Sequence, residues 1–182
     1  RRWHKFRWLL VNLCRLTLAL TFVTSGFTKV VDPSGSQYKI EDYLVAFNWY
    51  DWVPQFVPLW FAVFLSIFEF CIGVYMFFGI RRRATSMLYV LYMLVMTPLT
   101  LYIALYNPVT DCGCFGDALK LTPWQTFFKN LVLLPMVFVI WYRYRKQRIL
   151  DFKKWEIALT VVFCSLAMGV GAYCYYNLPL ID

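Results

Sequence analysis

Histidine is almost missing from this chain: His4 is the single one among 182 residues. With so little imidazole, a zinc site of four nitrogen or sulfur ligands is hard to assemble. Charge is scarce as well, at 15% of residues where soluble domains carry about 25%. No low-complexity tract, internal repeat or polar stretch long enough for a soluble domain is present. What fills the space is apolar. Hydrophobic residues make up 61% and aromatics 21%, against about 45–50% apolar in ordinary globular chains. An excess of that size excludes a soluble fold and points to a polytopic, all-α membrane protein.

Apolar runs near the ~20 residues needed to cross hydrocarbon recur along the chain. The predicted spans cover about 8–27, 57–79, 84–106, 124–142 and 155–176. The first is too long and too aromatic for a cleaved signal peptide. The chain opens at Arg1 without methionine and closes soon after a helix, so the expectation is a portion of a longer protein. Asp32-Pro33 breaks the chain after the first span. In 37–53, Ile40, Tyr43, Leu44 and Phe47 recur at helical spacing opposite Lys39, Glu41 and Asp42. Trp49, Tyr50 and Trp52 follow, which predicts a short interfacial helix with an aromatic anchor.

The net charge of +8 is explained by where the basic residues fall. With the amino terminus inside, thirteen lie in inner segments, including Arg81 to Arg83 and Arg143 to Lys146. Lys29, Lys39, Lys120 and Lys129 lie outside, and Arg15 alone sits within a span. By the positive-inside rule the amino terminus is cytoplasmic and the carboxy terminus extracytoplasmic. Nothing is left over that requires nucleic acid.

The long polar gap in the second half, 107–120, then lies outside, and it holds Cys112-Gly113-Cys114. A disulfide needs Cα atoms roughly 4.4–6.8 Å apart. So short a ring demands a tight turn, which Gly113 permits because it lacks a Cβ. Strained, exposed disulfides are the labile and catalytic ones, and disulfides persist outside the cytoplasm. Thiol–disulfide exchange is one reading; a structural staple or two idle thiols is another. Zinc is disfavoured because His4 lies on the opposite side. Copper(I) would draw on Met87, Met93 and Met96, which read as hydrocarbon packing. Asp111 and Asp117 oppose thiolate formation, whereas Lys120 and the next helix amino terminus favour it.

Asp111-Cys112-Gly113-Cys114-Phe115-Gly116-Asp117, at the outer end of the third span, resembles the Cys-x-Cys-Phe-Gly element of the MauE/DoxX redox-associated membrane proteins. Arg15 with Phe22, Gly26, Lys29, Asp32 and Pro33 is similar to the first helix of DoxX proteins. The likeness covers roughly residues 8–142. It implies a four-helix core supporting disulfide formation or thiol oxidation linked to the respiratory chain, with Cys112 and Cys114 as the redox pair. It also implies a bacterial inner membrane. Residues 1–142 would form that domain, with 37–53 as its extracytoplasmic interfacial segment. Residues 143–182 add a basic cytoplasmic loop and a fifth transmembrane helix.

Arg15 and Glu69 each interrupt an apolar span, where a charge costs about 2.5–3.5 kcal/mol even on the lenient insertion scale. Counted from the cytoplasmic ends of antiparallel spans they lie at similar depth, which predicts an ion pair. That pair is either a structural clamp or a site for protons and a quinone headgroup. Pro98 and Pro135, on the helices flanking the redox loop, either open space for such a pocket or are ordinary membrane-helix prolines. Gln125 and Asn130 are expected to hydrogen-bond that loop. Cys14, Cys71 and Cys164 read as small apolar fillers, and Cys174, near the outer end of the fifth span, as a candidate resolving thiol. Ser165/Gly169 and Ala167/Gly171 are small-residue pairs suited to close packing with a helix of this chain or of another copy.

The combined expectation is a membrane thiol–disulfide oxidoreductase. It would exchange disulfides with an extracytoplasmic thiol or disulfide protein through Cys112 and Cys114, and pass electrons to quinone near Arg15 and Glu69. The rival is a non-enzymatic membrane anchor or assembly subunit with a structural Cys112–Cys114 bond. Lipid, a homo-oligomer or a membrane-complex partner complete the expected partners, with no metal.

Overall fold

The computed structural model describes residues 2–106, 121–146 and 154–177, and among them every regular element is a helix. They are α1 (Arg2–Val31), α2 (Pro33–Ala46), a 3-10 turn (Tyr50–Trp52), α3 (Val57–Phe78), α4 (Arg82–Tyr106), α5 (Pro123–Tyr144) and α6 (Lys154–Asn177). Five are long and apolar enough to cross a membrane: Trp8–Val31 within α1, α3, α4, α5, and Trp155–Cys174 within α6. Large apolar side chains such as Leu13, Phe64, Val95 and Val132 are more than half exposed on the outside of the bundle. In water that surface would be a liability; facing acyl chains it is the expected coat.

Local chemistry sets where the helices stop. Asp32 ends α1 and caps α2, its carboxylate accepting the Gly35 N–H at 2.9 Å, with Pro33 at the first helical position. Proline there loses no intrahelical bond, so α2 restarts at once instead of at 37, as expected from the sequence. Gly79 ends α3 in the left-handed region, φ 69°. The Ile80 N–H reaches the Tyr75 carbonyl at 2.9 Å and the Gly79 N–H that of Met76 at 3.3 Å, the paired bonds of a Schellman motif. Thr122 and Gln125 form a reciprocal capping box at the start of α5.

The pairing of α1 with α3 is the most extensive in the bundle, followed by α4 with α5. Two glycines allow the first. A Cβ at Gly26 would lie 2.7 Å from Phe70 Cα, and one at Gly73 would lie 2.7 Å from the Val23 nitrogen. The main core joins Leu18 and Phe22 of α1, Ile72 and Met76 of α3, Tyr89 and Met93 of α4, and Val137 and Ile140 of α5. Met93, read from sequence as packing, is 1% exposed.

The fifth span docks on the α1–α3 side. Ala167 packs with Phe70 and Val74, and Gly171 approaches Val30. The Ala167/Gly171 pair is therefore used within the chain, whereas Gly169 faces open space. Two further contacts hold the antiparallel register of α3 and α6. Tyr75 donates its hydroxyl proton to Thr160 Oγ1, and one turn away Cys71 Sγ and Cys164 Sγ lie 2.9 Å apart.

Candidate functional site

Between α1, α2, α3, α4 and α5 lies a cavity of about 250 Å³. On one side it is walled by the second half of α4, from Tyr92 to Ile103, and by Lys129, Asn130 and Leu133 of α5. Most of the wall is apolar, with Phe22, Leu65, Met96 and Leu99 among its residues. A buried polar cluster forms its floor. Glu69 Oε2 accepts from Lys29 Nζ at 2.8 Å and from Ser25 Oγ at 2.9 Å. Glu69 is 3% and Lys29 8% exposed. Burying a carboxylate without partners is costly; here an ammonium and a hydroxyl meet one of its oxygens.

The α1–α3 pair builds this cluster. Ser25 and Lys29 are four residues apart, hence on one face of α1, and the Gly26–Phe70 contact sets that face against Glu69. Across the cavity α2 contributes Ser36, Lys39 and Tyr43. Ser36 is 7% exposed and its hydroxyl has no hydrogen-bond partner among the described residues. Asn130 of α5 donates to Thr100 Oγ1 of α4 at 3.2 Å, tying the two helices along the cavity wall.

Several expectations change here. The Arg15–Glu69 ion pair does not form. Contacts of Gly26 with Phe70 and of Gly73 with Val23 put Arg15 beside the end of α3, where its guanidinium lies next to Gly79. That is about 18 Å along the axis from Glu69 at 1.5 Å per residue. Counting both residues from their span ends ignored the offset between the helices. The last-turn carbonyls of α3 are a favourable place for a cation. Lys29, assigned from sequence to the outer surface, is the real partner. The signals that could have found it are its i, i+4 spacing from Ser25 and its place in the first-helix pattern.

Gln125 takes part in its helix cap and Asn130 bonds Thr100 of α4; their expected bonds to the redox loop fall on 107–120, outside the described residues. Segment 37–53 is not one helix: α2 ends at Ala46, and its Ile40 and Tyr43 line the cavity. Beyond it Phe47 stacks on Tyr102 of α4 at 5.5 Å, while Trp52 is 89% exposed. Cys71 and Cys164, taken as separate fillers, meet across α3 and α6. Cys14 is buried in the core and Cys174 at 3% exposure near the end of α6. Cys112 and Cys114 lie outside the described residues.

The cluster sets an ammonium, a carboxylate and a hydroxyl against an otherwise apolar cavity wall. No curated protein and no solved structure matches the chain. The model of one family, methylamine utilisation protein MauE, matches residues 7–143. That span takes in α2 to α4, all but the ends of α1 and α5, and the whole cavity. It supports the MauE side of the expected resemblance and does not extend to DoxX. With five apolar helices and that match, the chain is a multi-pass membrane protein belonging to the MauE family.

Proposed function

We propose that this chain is a membrane thiol–disulfide oxidoreductase whose redox pair is Cys112 and Cys114. The observation that carries the reading is the placing of Cys112-Gly113-Cys114 in the connection between α4 and α5, two helices that both line the cavity. The connection faces the extracytoplasmic side of a bacterial inner membrane, with the amino terminus cytoplasmic.

A thiolate of an extracytoplasmic partner attacks one sulfur of the Cys112–Cys114 disulfide, and a mixed disulfide forms as the other sulfur leaves. The partner's second thiol resolves it, so the partner gains a disulfide and the pair becomes a dithiol. The family's description makes proteins of methylamine utilisation the first partners to test.

Restoring the disulfide removes two electrons and two protons from the pair. A quinone in the cavity supplies an acceptor for both. At about 250 Å³ the cavity is below the ~300–1,000 Å³ usual for ligand sites, so it suits a headgroup ring with its tail left in lipid. The unpartnered Ser36 hydroxyl fits a ring carbonyl. Lys29 and Ser25 orient the other polar edge, and Glu69 takes or gives the proton. Arg15 has no part in this site.

The decisive experiment traps Cys112 and Cys114 in intact cells with an externally accessible mass-tagged maleimide, with and without quinone synthesis. Accumulation of the reduced pair when quinone is absent supports the reading. A pair that stays oxidised in both conditions and resists mild reductant refutes it. The subunit reading would then take its place, since the exposed Trp49, Tyr50, Trp52 and Phe56 offer an aromatic surface for a partner. On that reading Cys112→Ser and Cys114→Ser cost stability alone.

A further inference from the structure

Cys71 and Cys164 are 93 residues apart in the chain, yet their sulfurs are 2.9 Å from each other. Non-bonded heavy atoms pack best at about 3.5–4.0 Å. Two thiolates sharing a tetrahedral zinc, with bonds of about 2.3 Å, would sit roughly 3.8 Å apart. The observed separation is shorter than either and longer than the ~2.05 Å of a disulfide, so the two stand as free thiols in direct contact. Among the described residues no group of three His, Cys, Asp or Glu side chains converges anywhere, so the pair has no further ligand with which to share a metal. Neighbouring contacts hold the two helices in this register. Tyr75 and Thr160, one turn along each helix, are hydrogen-bonded across the same interface, and Phe70 and Val74 enclose Ala167 beside it.

We propose that Cys71 and Cys164 are a second redox couple, a dithiol that closes to a disulfide within the membrane and covalently ties α6 to α3. Two S–H bonds break and one S–S bond forms. The two electrons and two protons go to a lipid-soluble acceptor of the quinone class, and a quinol returns them when the bond opens. The oxidant follows from position. Both cysteines are half-buried residues of apolar helices, at a depth a charged aqueous oxidant does not readily enter. A neutral carrier dissolved in the lipid reaches them from the side. The pair is distinct from the cavity: two residues along a helix is a turn of about 200°, so α3 directs Glu69 to the cavity and Cys71 to α6. It also acts on a helix beyond the family match, which ends at residue 143. The redox state of the membrane carrier thereby decides whether α6 is locked to the family domain or held by packing alone.

The test uses the full chain in native membrane vesicles, both unmutated and with Cys112→Ser and Cys114→Ser, so that it reads separately from the exchange activity. Vesicles are incubated with a short-chain quinone or its quinol, free thiols are blocked with N-ethylmaleimide, and the denatured protein is digested without reductant. Mass spectrometry should find a Cys71–Cys164 linked peptide in most of the quinone-treated chain and little in the quinol-treated chain. The link should persist without Cys112 and Cys114, and be lost in Cys71→Ser and in Cys164→Ser. Complete alkylation of Cys71 and Cys164 under excess quinone would overturn the proposal. So would a link involving Cys14 or Cys174 in their place.

Discussion

Glu69 receives both of its hydrogen bonds from α1, and that arrangement sets the consequences of losing either donor. Removing one partner of a buried ion pair costs about 3–5 kcal/mol because a charge is left unpaired. Lys29→Met should therefore lower thermal stability in detergent far more than Arg15→Met, whose side chain lies at the helix end. Adding Glu69→Leu to Lys29→Met should recover much of the loss, and a double-mutant cycle on melting temperature measures it. Glu69→Gln alone leaves the buried Lys29 charge without its counter-ion and should also lower the melting temperature. Paired with Lys29→Gln, which removes that charge, the fold should hold while quinone-linked reoxidation of Cys112 and Cys114 slows. Exchange with a dithiol partner in a single turnover should be unchanged. Glu69 was legible in the sequence because a carboxylate in a 22-residue apolar span is conspicuous. Its partner was not, because Lys29 stands near a helix end where a lysine usually reaches water.

At the scale of helices, closeness of approach decides what is allowed. A Cβ at Gly26 has nowhere to go except into the Phe70 backbone, so Gly26→Ala must push α1 from α3 and disturb the Lys29–Glu69 contact. Overpacking of this kind costs about 1–3 kcal/mol. Gly169→Ala meets nothing within 4 Å and should be neutral or slightly stabilising; comparing the two melting temperatures isolates the effect of the approach. The capping box of α5 is a separate device. Thr122→Ala should cost about 1 kcal/mol, read as faster hydrogen exchange confined to the first turn of α5. The cap was readable as Thr122-Pro123 followed by Gln125 at the third helical position. The cap uses the Gln125 side-chain oxygen, and the expected bond of Gln125 to the redox loop falls on 107–120, outside the described residues.

For the whole molecule, the proposed orientation puts Arg81 to Arg83 and Arg143 to Lys146 on one face and the 3-10 turn at Tyr50–Trp52 on the other. Alkaline phosphatase fused after Trp52 should be active, and fused after Arg83 or Lys146 inactive. The reverse pattern would invert the topology and move Cys112 and Cys114 to the reducing side, ending the proposed exchange. The helical class, the five spans and the membrane location needed no tertiary information. Each follows from a local requirement: about 20 apolar residues must hydrogen-bond their own backbone while crossing hydrocarbon. Caps at Asp32, Gly79 and Thr122 are equally local.

Which polar groups face one another is a different kind of fact. The sequence by itself placed Arg15, Lys29 and Glu69 on their helices, and Cys71 and Cys164 on theirs. Only the tertiary structure decided that Glu69 meets Lys29 and not Arg15, that Ser36 of α2 closes the cavity, and that Cys71 meets Cys164. Axial offset and rotation between helices are set by close packing at Gly26, Gly73 and Ala167, and hydrophobic periodicity carries no information about that register.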